Sequence, residues 1–256
     1  MKLTILTENS TGTCPGEHGL SILIEDDKKV LFDVGATDIF KKNAKLLNIN
    51  LDEVNHVALS HGHWDHVNGL QFLKNKKLIC HPDCFMKKFT RRTNKPNRMP
   101  FNLEKAKEQF EVILTKEPYK ISENITFLGE IPRKNDFEAK TTTFYTENNQ
   151  DDFILDDSAL AIKTNKGLVV IAGCSHAGIC NIIEYAKKIT GLNIYAIIGG
   201  FHLLKDDEIS KKTIEYLKKE NIEHIYPGHC VKEPVIELFE KELNAKRLHS
   251  GDVIEL

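Results

Sequence analysis

The run His61-Gly62-His63-Trp64-Asp65-His66 constrains this chain more than any other stretch. Four side chains able to hold a metal fall within six residues. The largely apolar run over 54–59 leads into it as a strand, and residues 66–73 carry apolar positions at near-helical spacing. The local unit is therefore strand, tight turn, helix. Three imidazoles and a carboxylate crowded together gain nothing without a cation, and their nitrogen and oxygen donors suit zinc, manganese or iron. One turn can aim only two or three donors at a single ion. The turn therefore serves two ions, or one ion with an outer layer of support.

The second half of the chain repeats the unit. Residues 158–163 and 167–172 read as a hairpin whose second strand runs into Gly173-Cys174-Ser175-His176, followed by an amphipathic helix over 179–189. A strand over 193–198 ends in Gly199-Gly200-Phe201-His202. After a helix over 210–219, a strand over 222–226 ends in Pro227-Gly228-His229-Cys230. Strands separated by helices make a mostly parallel sheet whose carboxyl ends share one edge. His176, His202 and His229 can therefore converge on the first turn. His18, His56, His224 and His249 lack a strand-end position and are set aside as ligands, and His81 reads as a strand-end residue.

Upstream, residues 3–6, 20–25 and 29–33 alternate as strands of an antiparallel opening, with a polar loop over 7–19. Asp33 ends the third strand beside Val34-Gly35, at the edge expected for the metal turn. There it can orient a ligand histidine. Residues 37–47 form an amphipathic helix capped by Thr37 or Asp38. Residues 103–110 read as a helix, 111–129 as short strands and 135–152 as a long polar loop. Residues 87–98 hold six basic residues and no acidic one. Two readings are equal here: a flexible loop that attracts a phosphate or carboxylate, or a solvated segment whose charge has no partner.

The HGHWDH run after a strand, with Phe32-Asp33-Val34-Gly35 before it, resembles the metallo-β-lactamase superfamily. The resemblance covers nearly the whole chain and implies an α/β fold: a four-layer αββα sandwich with mixed sheets, residues 1–256 forming a single domain. It also implies two divalent ions, zinc first and manganese or iron as alternatives. Carried over by motif, His61, His63 and His176 hold one ion, while Asp65, His66 and His229 hold the other. Many members place a bridging Asp after Gly at the strand end where this chain has Gly173-Cys174. That departure leaves Cys174 or hydroxide alone as the bridge, and leaves His202 as an extra ligand or an acid near the substrate. Glu17-His18-Gly19-Leu20-Ser21, GCSHAG, GGFH and PGHC together resemble a narrower branch. Its archaeal members join a dihydropterin to ribofuranosylaminobenzene 5'-phosphate.

From the site follows a hydrolase in which hydroxide generated at the ions attacks an ester, lactone or phosphoester. Asp65 would orient the hydroxide and His202 would assist the leaving group. The alternatives are the pterin condensation and a non-catalytic metal-binding protein. A net charge of -2 over 256 residues argues for neither nucleic acid nor membrane, so the expected partner is a small, anionic substrate. The start lacks a signal-peptide core, and six scattered cysteines show no disulfide rhythm, which points to the cytoplasm. Cys80 and Cys84 are the one close pair, with no second pair to complete a zinc site.

Overall fold

The computed structural model describes residues 1–256. Strands β1 (Lys2–Thr7), β2 (Ser21–Glu25) and β3 (Lys29–Phe32) open the chain, followed by α1 (Ile39–Leu46), β4 (His56–Ala58) and α2 (Trp64–Val67). Next come β5 (Lys76–Cys80), β6 (Lys88–Thr90), α3 (Leu103–Gln109), β7 (Phe110–Leu114), β8 (Tyr119–Lys120) and β9 (Ile125–Phe127). Short strands β10 (Phe144–Thr146) and β11 (Asp151–Asp152) precede the hairpin β12 (Ala159–Thr164) and β13 (Gly167–Ala172). The chain finishes with α4 (Ile179–Thr190), β14 (Ile194–Gly200), α5 (Glu208–Glu220), β15 (His224–Gly228), α6 (Glu233–Leu243) and β16 (Val253–Glu255).

Two large mixed sheets result, ordered β16-β1-β2-β3-β4-β5-β7 and β15-β14-β13-β12-β9-β8. The pairs β3–β4, β4–β5, β13–β14 and β14–β15 are parallel. Successive strand side chains point to opposite faces, and the burial pattern follows. In β13, Val169 and Ile171 join the core between the sheets, while Leu168, Val170 and Ala172 face the helices outside. In β2, Ile22 and Ile24 face inward, whereas Leu23 meets Phe40 and Ala44 of α1. Both faces of the central strands are buried, which is why GLVVIA reads as a continuous apolar run. The three hydrophobic clusters thus fill the gaps between four layers: helix, sheet, sheet, helix. A fully buried side chain such as Phe40 contributes about 1.5–3 kcal/mol.

The elements differ from the sequence reading in a few places. The helix expected over 66–73 is instead four residues of α2, which begins inside the HGHWDH run at Trp64, followed by a 3-10 turn over Asn68–Phe72. Gly69 explains the break. A Cβ there would lie 1.9 Å from the Val34 carbonyl oxygen, so the chain is pressed onto the exit of β3. The polar stretch 135–152 is not wholly loop. Its β10 pairs antiparallel with β6 of the basic segment and with β11, making a small third sheet. The β6–β10 pairing is non-local and leaves no trace in local periodicity. At the start of α1, Asp38 makes no side-chain cap; the Thr37 hydroxyl accepts from the Ile39 N–H, and Glu17 accepts from the Ala36 and Thr37 N–H groups. Helix α6 and strand β16, which pairs with β1, complete the two halves.

Candidate metal centre

The HGHWDH turn leaves β4 and meets the ends of β13, β14 and β15, as the strand-end pattern anticipates. Each of these strand ends, and that of β3, passes through a residue with positive φ: Asp33 (55°), Ser175 (58°), His202 (48°) and His229 (50°). The left-handed region is uncommon for residues other than Gly and Asn, and such strain gathers at functional sites. Here it turns each chain from the sheet edge toward a common point. Gly173 permits close approach, since a Cβ would fall 2.0 Å from the Ser60 hydroxyl.

Two sets of donors result. In one, a ring nitrogen from each of His61, His63 and His176 lies within 4.8 Å of the others; in the second, a carboxylate oxygen of Asp65 and a ring nitrogen from each of His66 and His229 do so. His61 Nε2 is 3.0 Å from His63 Nδ1, and His66 Nε2 is 3.0 Å from His229 Nε2. Two nitrogens each ~2.0–2.1 Å from a tetrahedral ion lie about 3.3 Å apart, so these separations fit donors sharing an ion. Nε2 of His176 is buried with no hydrogen-bond partner. Buried polar atoms without partners are costly, and a cation is the partner this donor set suits.

Surrounding residues fix the tautomers. Asp33 Oδ2 accepts from His66 Nδ1 at 2.7 Å and from the Ser60 hydroxyl at 2.7 Å, while Asp33 Oδ1 accepts from the Ser60 N–H. The Ser60 oxygen then accepts from His61 Nδ1 at 2.8 Å. Asn9 Oδ1 accepts from His229 Nδ1 at 3.0 Å, and Asn9 Nδ2 donates to the His229 carbonyl. In all three histidines Nδ1–H is occupied and Nε2 is left for a metal. Burial, then the neighbouring cationic groups, holds His61, His63, His176 and His229 well below the usual histidine range. They are the neutral imidazoles that coordination requires. Burial alone would lower His66 too, but Asp33 and Asp65 outweigh it and raise it to about 9.

His202 lies beside the first set, its ring centroid 4.4 Å from that of His176, and belongs to neither donor set. Burial depresses it to about 4 despite the attraction of Asp65, so it is a neutral ring with one N–H to offer. Cys174 Sγ is 3.3 Å from His66 Nε2. His56, His81, His224 and His249 stand in no donor set; His81 pairs with Glu130, and His224 with the Tyr195 hydroxyl.

Several residues at the centre carry no signal in local sequence spacing. His18 is in no donor set, yet its Nε2 is 3.3 Å from Asp65 Oδ2 and its ring stacks on His229 at 5.6 Å. Trp64 stands 5.6 Å from His18, and Phe144 of β10 lies 4.5 Å from His63, so aromatic rings flank the donors. Glu8 accepts from the His229 N–H. Asn9, Glu8 and His18 all sit in the polar loop after β1, whose composition marks a loop and nothing more.

The basic segment is divided. Lys88 is buried and ion-paired with buried Asp156, whose other oxygen accepts the Gly62 N–H at 2.7 Å. Burial alone would neutralise both groups; their attraction instead raises Lys88 and lowers Asp156. This pair braces the HGHWDH turn from behind. Lys87 pairs with Glu147 and Arg91 with Asp151, tying the small sheet together. Arg92, Lys95 and Arg98 are exposed and make no ion pair, and Asn97 between them accepts the Trp64 N–H at 3.2 Å. Both sequence readings of the segment are therefore partly replaced: three of its six charges are structural.

Comparison with known proteins bears on the family and the fold. Residues 14–81 match the model of the metallo-beta-lactamase superfamily. A 7,8-dihydropterin-6-methyl-4-(beta-D-ribofuranosyl)-aminobenzene-5'-phosphate synthase from Methanocaldococcus jannaschii is 36% identical over 93% of this chain and 90% of its own. The crystal structure of Tm1679, a metal-dependent hydrolase of the beta-lactamase superfamily, superposes with a TM-score of 0.90. It is 29% identical and covers 100% of this chain and 99% of that one. The metallo-beta-lactamase fold protein YhfI from Bacillus subtilis shares the fold at a TM-score of 0.58 and 16% identity, over 99% of both chains. No helix is long and apolar enough to cross a membrane. This chain belongs to the metallo-β-lactamase superfamily, in a branch with the M. jannaschii dihydropterin–aminobenzene-phosphate synthase.

Proposed function

We propose that this protein is a dinuclear metal-dependent hydrolase acting on an ester, lactone or phosphoester of a small anionic molecule. The observation that carries the reading is the pair of donor sets, His61/His63/His176 and Asp65/His66/His229, side by side at one sheet edge. Two divalent ions held there, zinc by preference from the donor chemistry and manganese or iron as alternatives, would acidify water to a pKa of about 7 and polarise a substrate oxygen. The Asp65 carboxylate, 3.5 Å from His229 Nε2 and 3.3 Å from His18, would accept a proton and hold the attacking water in line. His202, as a neutral ring, would donate its N–H to the leaving oxygen. Trp64, His18 and Phe144 would shield the reaction and favour a flat substrate, and unpaired Arg92, Lys95 and Arg98 would attract its anionic group.

A second reading is condensation of a dihydropterin with a ribofuranosylaminobenzene 5'-phosphate; the 36% identical relative supports it. Metal content per chain and an activity panel separate the possibilities. About two ions in wild type, falling for His176→Ala and not for His202→Ala, is the expected result. Ester, lactone or phosphoester turnover should vanish in His61→Ala together with the metal, and slow in His202→Ala with metal retained. Turnover that persists in metal-free His61→Ala overturns the reading. Product from the two-substrate assay, with no hydrolysis of any panel member, moves the assignment to condensation. Bound metal with neither activity leaves a metal-binding protein.

A further inference from the structure

The loop between β1 and β2 grips Asp65 twice. The Leu20 N–H donates to the Asp65 carbonyl at 3.3 Å, and His18 Nε2 lies 3.3 Å from Asp65 Oδ2. That same Oδ2 faces donor nitrogens of the second set, 3.5 Å from His229 Nε2 and 3.8 Å from His66 Nε2. Whether His18 can hold Asp65 depends on which of its ring nitrogens carries the proton, and Asn9 decides that. The Gly19 N–H donates to Asn9 Oδ1 at 3.3 Å, and Asn9 Nδ2 donates to the His229 carbonyl at 2.9 Å. An N–H can meet only the amide oxygen and a carbonyl only the amide nitrogen, so the Asn9 side chain has one orientation. Its oxygen then accepts from His229 Nδ1 at 3.0 Å, and its nitrogen donates to His18 Nδ1 at 3.4 Å. The two rings are stacked, with centroids 5.6 Å apart and planes 29° from parallel. One amide thus gives neighbouring histidines opposite tautomers: Nδ1–H with a bare Nε2 in His229, and Nε2–H with a bare Nδ1 in His18.

We propose that His18 is a positioning residue: held by Asn9 as its Nε2–H tautomer, it donates to Asp65 Oδ2 and fixes the carboxylate for turnover. This rests on the hydrolase reading, in which Asp65 orients the attacking water. The terminal torsion of an aspartate is broad and roughly two-fold, so a carboxylate without this partner swings and exchanges its two oxygens. Each carboxylate oxygen has lone pairs for more than one contact, so the His18 bond leaves Oδ2 open toward His66 and His229. His18 is itself no ligand, because its one nitrogen on the donor side carries the proton.

Nitrogen-15 histidine spectra of the zinc-loaded full chain read the tautomer directly. The His18 signals, assigned by their loss in His18→Gln, should show a protonated Nε2 and a bare Nδ1. A protonated Nδ1, or an average over both tautomers, overturns the proposal whatever the reaction. Asn9→Asp supplies the matching variant. Its carboxylate still accepts from His229 Nδ1 but cannot donate to His18, so the His18 signals should move to the Nδ1–H form. A His18 tautomer indifferent to this change overturns the part given to Asn9.

Turnover of whichever ester, lactone or phosphoester the wild type hydrolyses is the second readout. Because 57% of the His18 side chain is exposed, His18→Ala should keep its zinc and its melting temperature. It should lose about 10–100-fold in kcat at unchanged KM. His18→Gln, whose amide can return an N–H toward Oδ2, should recover most of that loss. Asn9→Asp should bind zinc as the wild type does yet turn over as slowly as His18→Ala. A rise in KM alone makes His18 a substrate contact and overturns the positioning role, as does an unchanged kcat in His18→Ala. A zinc-loaded wild type that hydrolyses nothing overturns the hydrolase reading instead, and the spectra still decide how His18 holds Asp65.

Discussion

The two halves of the centre are built by opposite means. On the side of the first sheet, one turn after β4 supplies four donors, and a shared foundation supports it: Asp33 and Ser60 beneath, Asp156 and Lys88 behind. On the side of the second sheet, three strands each supply one histidine, and no two share a supporting carboxylate. His229 leans on Asn9 and Glu8, His176 follows the left-handed Ser175, and His202 hangs from Cys230. The first half concentrates its dependence in a few buried groups, whereas the second distributes it over separate strand ends. Damage should accordingly spread in the first half and stay local in the second.

The largest break expected lies behind the turn. Lys88→Met leaves Asp156 charged, buried and unpaired, which costs about 3–5 kcal/mol. A domain of this size should lose on the order of 10 °C in melting temperature. Replacing both partners, Lys88→Met with Asp156→Leu, should recover most of that loss, since an apolar pair of similar volume is often neutral. It also strips the acceptor from the Gly62 N–H. The double variant therefore separates stability from site geometry: fold recovered, metal affinity still weakened. Equal melting temperatures for the single and double variants would contradict the pairing argument. A step smaller, Asp33→Asn removes a carboxylate that orders His66 directly and His61 through Ser60. Outer partners of this kind are worth about 10–100-fold in metal affinity. Because Asp33 supports a donor of each set, His66 directly and His61 through Ser60, chelator competition on the proposed dinuclear centre should show both binding steps weakened.

The same contrast decides what could be read from the chain alone. The HGHWDH turn was legible because its donors are adjacent and its strand and helix periodicities are local. The strand-end histidines were legible because alternating strands and helices dictate a parallel edge, so His176, His202 and His229 had one place to meet. Asp33 was readable by position, at the end of a strand on that edge. Lys88 and Asp156 were not, because 68 residues separate them and each looks like a surface charge in its own neighbourhood. The pairing of β6 with β10 hides for the same reason, and with it the placement of Phe144 over His63 and His176. Asn9 and His18 sit in a loop without periodicity. They reach the centre only because β1 lies next to β2 and the loop between them crosses the site.

Acid sharpens the comparison further. Asp156 is held below the ordinary carboxylate range in the folded chain, so its contribution to stability is full above the unfolded value near ~3.9 and is lost as pH falls through the folded value. Denaturant midpoints measured from pH 7 downward should therefore fall less steeply at the acid end in the Lys88→Met/Asp156→Leu variant than in wild type. Identical acid limbs would show that the pair titrates as it does in the unfolded chain.

The smallest effect belongs to the second half. Asn9→Ala removes the acceptor for His229 Nδ1 and the donor to its carbonyl, but touches no other donor residue of either set. The His229 backbone N–H keeps its Glu8 partner, so the strand end should hold its left-handed turn. Metal affinity should fall by about tenfold, the low end for an outer partner, in one of the two binding steps and with little change in melting temperature. The freed ring can also adopt the other tautomer, which points N–H at the ion position, so Asn9→Asp should restore affinity by accepting at Nδ1 again. If Asn9→Ala weakened both steps as Asp33→Asn does, the strand-end donors would not be independent, and the two halves would be one coupled structure.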